Sequence, residues 1–155
     1  MSEPATPYLL LDLARAKDSF AELAAALPGV AIHYAVKANP DSRLLACLHA
    51  AGCRFEAASW TEVRAAIRAG ADPAAVLFTH PVKSADDIAR AHKAGVWRFA
   101  ADSDTELHKI ARYAPGSAAL LRLDTGAGGT AGDQASSGFS PDRPRSWRGW
   151  PGHWA

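Results

Sequence analysis

Between residues 30 and 124, short β-type runs alternate with helical stretches, and this rhythm leaves few architectures open. "VAIHYAVKA" precedes "DSRLLACLHAAG", in which Leu44, Leu45 and Leu48 fall at helical spacing. "CRFEAAS" leads into "WTEVRAAIRAG", closed by Gly70. "AAVLFTH" leads into "SADDIARAHKAG", with Ser84 as N-cap and Gly95 as the stop. "WRFAADS" leads into "DTELHKIARYAPG", and "AALLRLD" ends the series. Units of roughly 20 to 25 residues in this alternation build parallel sheets, because parallel neighbours need a crossover and a helix supplies it.

Two parallel α/β designs compete. A doubly wound sheet usually carries a glycine-rich turn after its first strand, and "KANPDS" has no glycine. Polar residues recur instead at the ends of successive runs: Lys37, Glu56 with Ser59, His80, Asp102 with Ser103, and Arg122 with Asp124. Sites assembled from many strand ends belong to the (β/α)8 TIM barrel, which needs eight strands and about 250 residues. Only five β-type runs follow residue 30 in this chain of 155. The expected fold is therefore a partial barrel, about five strands of eight, truncated.

The text changes at Gly126. "GAGGTAGDQASSGFSPDRPRSWRGWPGHWA" holds seven of the twelve glycines and three of the five tryptophans, with no Leu, Ile or Val. Neither helical nor strand period survives there. Residues 1–125 are read as the N-terminal part of the barrel, and 126–155 as a disordered tail left by a truncation or an altered reading frame. The "GAGG" within it lacks the preceding strand and following helix of a phosphate-cradling loop.

Composition removes several function classes. A net charge of +1 with 21% charged residues gives no electrostatic basis for binding nucleic acid or an anionic membrane. "MSEPATPYLLLDLARAKD" has neither a basic leader nor an apolar run of membrane length. Cys47 and Cys53 cannot form a disulfide framework, and the expected compartment is a reducing cytoplasm. The six histidines include no His-x3-His pair, so no metal site is expected.

Lys37 is the sharpest chemical candidate. A lysine shielded at a strand end loses ammonium solvation, so its pKa falls and the neutral amine can attack a carbonyl; the alternative is a solvated lysine ending a strand. Glu56 interrupts an apolar run and either orients a partner or is a solvated carboxylate. Glu62 follows Ser59 by three residues, and "SWTE" matches a capping box. His80, before Pro81, can stack on a flat ligand or sit as an ordinary loop histidine. Arg122, among Leu120, Leu121 and Leu123, calls for a charge partner or an anionic ligand.

"YAVKANP" resembles the pyridoxal-phosphate lysine motif of the fold-type III, alanine-racemase-like (group IV) decarboxylases acting on ornithine, diaminopimelate and arginine. The resemblance extends over about residues 6 to 125. "TPYLLLDL" resembles that family's lead-in strand, "RFEAASWTEV" its second barrel strand and helix, "LFTHPVKS" its third strand, "FAADSDTEL" its fourth and "LLRLDT" its fifth. It implies a pyridoxal-phosphate-dependent lyase with Lys37 as the Schiff-base lysine and with Glu56, Glu62, His80 and Arg122 around the cofactor; Lys83 falls in the third-strand segment. "SWTE", where diaminopimelate enzymes show "SGGE", implies ornithine as substrate, hence putrescine and polyamine synthesis. A diaminopimelate decarboxylase fragment and a non-catalytic partner of a full-length homologue are the alternatives. The family is homodimeric with shared active sites, and its phosphate loop, ring-stacking histidine and C-terminal domain have no counterpart here after residue 125. The chain alone is therefore expected to be inactive and is not expected to form the family's dimer.

Overall fold

The computed structural model describes residue 7, residues 10–124 and residues 138 and 139. Helix α1 (Leu13–Ala26) comes first, followed by β1 (His33–Ala35), α2 (Ser42–Ala50), β2 (Arg54–Ala57), α3 (Trp60–Arg68) and β3 (Leu77–Phe78). Then come α4 (Ala85–Lys93), β4 (Arg98–Ala101), α5 (Asp104–Tyr113) and β5 (Ala118–Leu121). The strands form one parallel sheet in the order β1-β2-β3-β4-β5. Each strand lies beside its predecessor, and nowhere among the described strands does the order reverse to make the switch point of a doubly wound sheet. The winding is that of a barrel under construction, as the sequence leads one to expect.

Local chemistry sets the helix ends. Asp12, Asp41, Ser59 and Ser84 accept at their side chains from Arg15, Arg43, Glu62 and Asp87 backbone N–H groups, satisfying first-turn donors that have no helical partner. Helix α3 ends ahead of Gly70, at φ +107, where a Cβ would stand 2.8 Å from His49 Cδ2. That position needs glycine both for its left-handed backbone and for the room.

One face of the sheet carries the core. Phe55, Phe78 and Phe99 are fully buried and pack with Leu45, Val63, Ile88, Leu107 and Ile110 from the covering helices. Phe78 and Phe99 are direct partners in register, with ring centroids 5.9 Å apart. Burying a side chain of this size contributes roughly 1.5–3 kcal/mol. Strand residues alternate in facing, so the opposite face carries His33, Ala35, Glu56, Leu77, Arg98, Ala100 and Leu120 in register. In a closed barrel this second face would be the lumen.

Two sequence expectations change here. Helix α1 was not foreseen, although Leu13, Ala16 and Phe20 pack at helical spacing on Leu44, Leu48 and Cys53. The lead-in strand expected over "TPYLLLDL" is absent over residues 10–13, where Leu13 already opens α1; of the rest of that stretch only Pro7 is among the described residues. The disordered tail expected over 126–155 likewise falls outside them, apart from Gly138 and Phe139. Those two meet the barrel: Phe139 is buried in the core cluster and forms a parallel bridge with Leu123. Among the described residues, no helix is long and apolar enough to cross a membrane.

Candidate active site at the carboxyl ends of the strands

Because all five strands are parallel, their carboxyl ends share one rim, and the rim gathers the polar residues picked out in the sequence. At the end of β1 the chain enters a 3₁₀ turn, Val36–Ala38. Val36 is fully buried beneath it, while Lys37 is exposed and its ammonium has no hydrogen bond or ion pair among the described residues. "ANPD" anchors this turn. Tyr34 Oη donates to Asn39 O at 3.3 Å, Asn39 Oδ1 accepts from Asp41 N at 3.0 Å, and Asp41 caps α2. The Asn-Pro-Asp run is thus what converts the strand end into a helix start, leaving Lys37 on the outside of a short, fixed turn.

Glu56 lies on the lumen face, paired in register with Ala35 of β1 and Leu77 of β3. Its Oε1 accepts the hydroxyl proton of Thr79, one strand over. Thr79 was not singled out in the sequence; its only signal there is a position one residue past a strand and 23 residues from Glu56. Glu62 has the capping role its spacing predicts, with one change. Ser59 Oγ accepts from Glu62 N at 3.2 Å, and Glu62 Oε2 reaches back to Ala58 N at 2.8 Å rather than to Ser59 N. The side chain is half-buried at the head of α3.

His80 is exposed just past β3, and among the described residues only its carbonyl is engaged, by Lys83 Nζ at 2.9 Å. Arg122 is also exposed. Its leucine neighbours had implied a buried charge in need of a partner, but Leu120 is 36% and Leu123 61% exposed, so water solvates the guanidinium. β5 has a described neighbour on one side alone, apart from the Phe139 bridge, which explains that openness.

The desolvation expected for Lys37 belongs instead to Lys83. The Lys83 side chain has no exposure, and burial lowers its pKa, opposed by the hydrogen bond and charge of Glu106. Lys37 is therefore the rim amine accessible to an incoming aldehyde, and Lys83 is not. Among the described residues, no group of three or more His, Cys, Asp or Glu side chains is arranged to hold a metal ion.

A family model for the pyridoxal binding domain of pyridoxal-dependent decarboxylases matches residues 13–142. The chloroplastic ornithine decarboxylase of Nicotiana glauca is 36% identical over 117 residues, which cover 76% of this chain and 27% of the plant protein. The arginine decarboxylase of Paramecium bursaria Chlorella virus superposes with a TM-score of 0.75 at 30% identity, over 84% of this chain and 36% of that one. The lysine/ornithine decarboxylase of Vibrio vulnificus, complexed with putrescine, gives a TM-score of 0.69 at 33% identity over 73% of this chain and 31% of its own. The chain thus spans about a quarter of the curated relative, at 27%, and about a third of the solved structures, at 36% and 31%. With a sequentially wound parallel sheet, a lysine-bearing turn after its first strand and a match over residues 13–142, the chain belongs to the family of pyridoxal-dependent decarboxylases, through their pyridoxal binding domain.

Proposed function

We propose that this chain supplies the lysine-bearing part of the active site of a pyridoxal-phosphate-dependent decarboxylase of basic amino acids, with ornithine as the substrate. The observation that carries the reading is Lys37, exposed at the carboxyl end of β1 with no partner for its ammonium among the described residues. The side chains around the rim fit the cofactor chemically. Lys37 offers an amine to the aldehyde, Glu56 a carboxylate fixed by Thr79, and Arg122 a guanidinium suited to a phosphate or carboxylate. His80 offers a flat ring at the same rim, and Glu62 stabilises the start of α3 beside it. The cofactor, when bound, supplies an electron sink for the pair left as CO2 departs. Ornithine is favoured because the Nicotiana relative, 36% identical, carries that name, and the "SWTE" segment agrees.

The test is covalent mapping. The chain is incubated with pyridoxal 5′-phosphate, reduced with borohydride and digested, and the pyridoxyl group is located among its five lysines, at 17, 37, 83, 93 and 109. Label concentrated on Lys37, and lost in Lys37→Ala, is the expected result. Label on Lys17 and Lys93 equal to or above that on Lys37 overturns the assignment.

A further inference from the structure

β3 ends early. Its last pairing with β4 is Phe78 with Phe99, whereas β4 continues to Ala101, paired with Leu121 of β5. Ala101 O accepts from Arg122 N at 2.8 Å on the β5 side. Successive carbonyls along a strand point to opposite edges. Ala100 O therefore points toward the β3 side, past the place where β3 has stopped.

Lys83 occupies that gap. Its Nζ donates to Ala100 O at 2.5 Å and to His80 O at 2.9 Å, and meets Glu106 Oε1 at 2.9 Å. These contacts use all three ammonium protons. The same Glu106 oxygen accepts Lys83's own backbone N–H at 3.1 Å, while Glu106 Oε2 meets Lys109 Nζ at 2.6 Å. Glu106 is 3% exposed, and Lys83 Nζ lies 5.8 Å from the centroid of the Phe78 ring. Asp102, also buried, adds a further attractive charge.

A buried ion pair is a poor source of net stability, because desolvating both charges offsets most of their attraction. What this one offers is geometry. A compact ammonium on a flexible stem can serve two carbonyls and a carboxylate in three directions; the planar fork of arginine cannot.

We infer that Lys83 is a positioning residue of the rim: it straps the His80 turn to the end of β4 and so sets where the His80 ring and Asp102 stand. This rests on the reading of that rim as the cofactor site. The strap acts through His80 and β4, and Lys83 itself touches no substrate.

The experiment compares the 155-residue chain with Lys83→Met, Lys83→Arg and Glu106→Gln. Three quantities are read: amide hydrogen exchange by peptide, the NMR chemical shifts of the His80 ring at fixed pH, and borohydride-trapped pyridoxal 5′-phosphate at Lys37. In Lys83→Met, amides of residues 79–84 and 100–103 should exchange about tenfold or more faster while those of 54–68 hold. The His80 ring shifts should move, and Lys37 trapping should weaken by about threefold or more. Lys83→Arg should not restore these values, and Glu106→Gln should shift them in the same direction by less. Unchanged exchange and ring shifts, or protection lost evenly across the sheet, overturns the inference. Where Lys83→Met does not fold, Glu106→Gln decides by the same readouts. Absence of Lys37 trapping in the parent chain refutes the cofactor reading alone, because exchange and the His80 ring shifts report on the strap without any cofactor.

Discussion

Thr79 Oγ1 donates to Glu56 Oε1, so the acid on the lumen face is held by a hydroxyl from the residue that follows β3. A hydrogen bond to an ionised carboxylate contributes about 1.5–3 kcal/mol. Thr79→Val should lower the unfolding free energy by about that amount, while Thr79→Ser should keep most of it. Chemical denaturation of the four proteins in a double-mutant cycle with Glu56→Gln checks this; a coupling near zero would show that the contact contributes nothing.

His33 gives the fold an acid-sensitive point at the start of β1. Burial pushes its imidazole below the ordinary 6.5; the Phe55 carbonyl, 3.2 Å from Nδ1, opposes this, Arg54 and Arg98 add to it, and Glu56 opposes it weakly. A base with a lowered folded pKa binds fewer protons folded than unfolded in the window below 6.5. Its contribution to stability is therefore present above 6.5 and lost as pH falls through that window. The thermal midpoint should drop between pH 7 and pH 5, and His33→Gln should flatten the drop; an equal drop in the variant would assign it elsewhere.

At the head of α2, hydrogen bonds from the Arg43 side chain and backbone hold the Asp41 carboxyl at about 2. Its folded pKa lies below the ordinary 3.8, so the cap is intact above 3.8 and is lost as pH falls toward about 2. Carboxyl NMR titration should find Asp41 near that value. Arg43→Ala should return it toward 3.8, and a titration unmoved by the substitution would remove Arg43 as the cause.

Gly138 lets the chain approach residues 122–124, just past β5, closely. A Cβ there would lie 2.7 Å from Asp124 N, closer than Cβ atoms stand to backbone, and 3.0 Å from Leu123 C, itself a tight contact. Gly138→Ala should break the bridge in which Asp124 N donates to Phe139 O at 2.9 Å and Phe139 N to Arg122 O at 2.8 Å. Exchange of the Asp124 amide should then accelerate. Phe139→Ala, which empties a buried site, should cost about 3–5 kcal/mol in denaturant unfolding. Wild-type exchange and midpoint in both variants would show that residues 138 and 139 contribute nothing to the barrel.

The order of elements was legible from sequence because it depends on short-range physics. Periodicity distinguishes strand from helix, side-chain oxygens at Ser59 and Ser84 mark helix starts, and Gly70 and Gly95 mark helix ends, all within a few residues of chain. Strand lengths were less legible. "AAVLFTH" reads as a full strand, yet only Leu77 and Phe78 pair, because pairing ends where a neighbour peels away. Helix α1 was hidden behind the apolar run that precedes it, although Asp12 caps it.

By itself the sequence determined the winding of the sheet and the rim on which polar residues gather. Only the tertiary structure decided which lysine is buried. Lys37 and Lys83 each follow a β-type run, but Lys37 turns outward over a buried Val36, while Lys83 folds under the end of β3 to meet Glu106, 23 residues away. Burial and ionic partnership are made by chain segments that no local pattern brings together. The same holds for Glu56 with Thr79 and for Phe139 with the core. A residue's type is written locally; its solvation is set by whatever the fold packs against it.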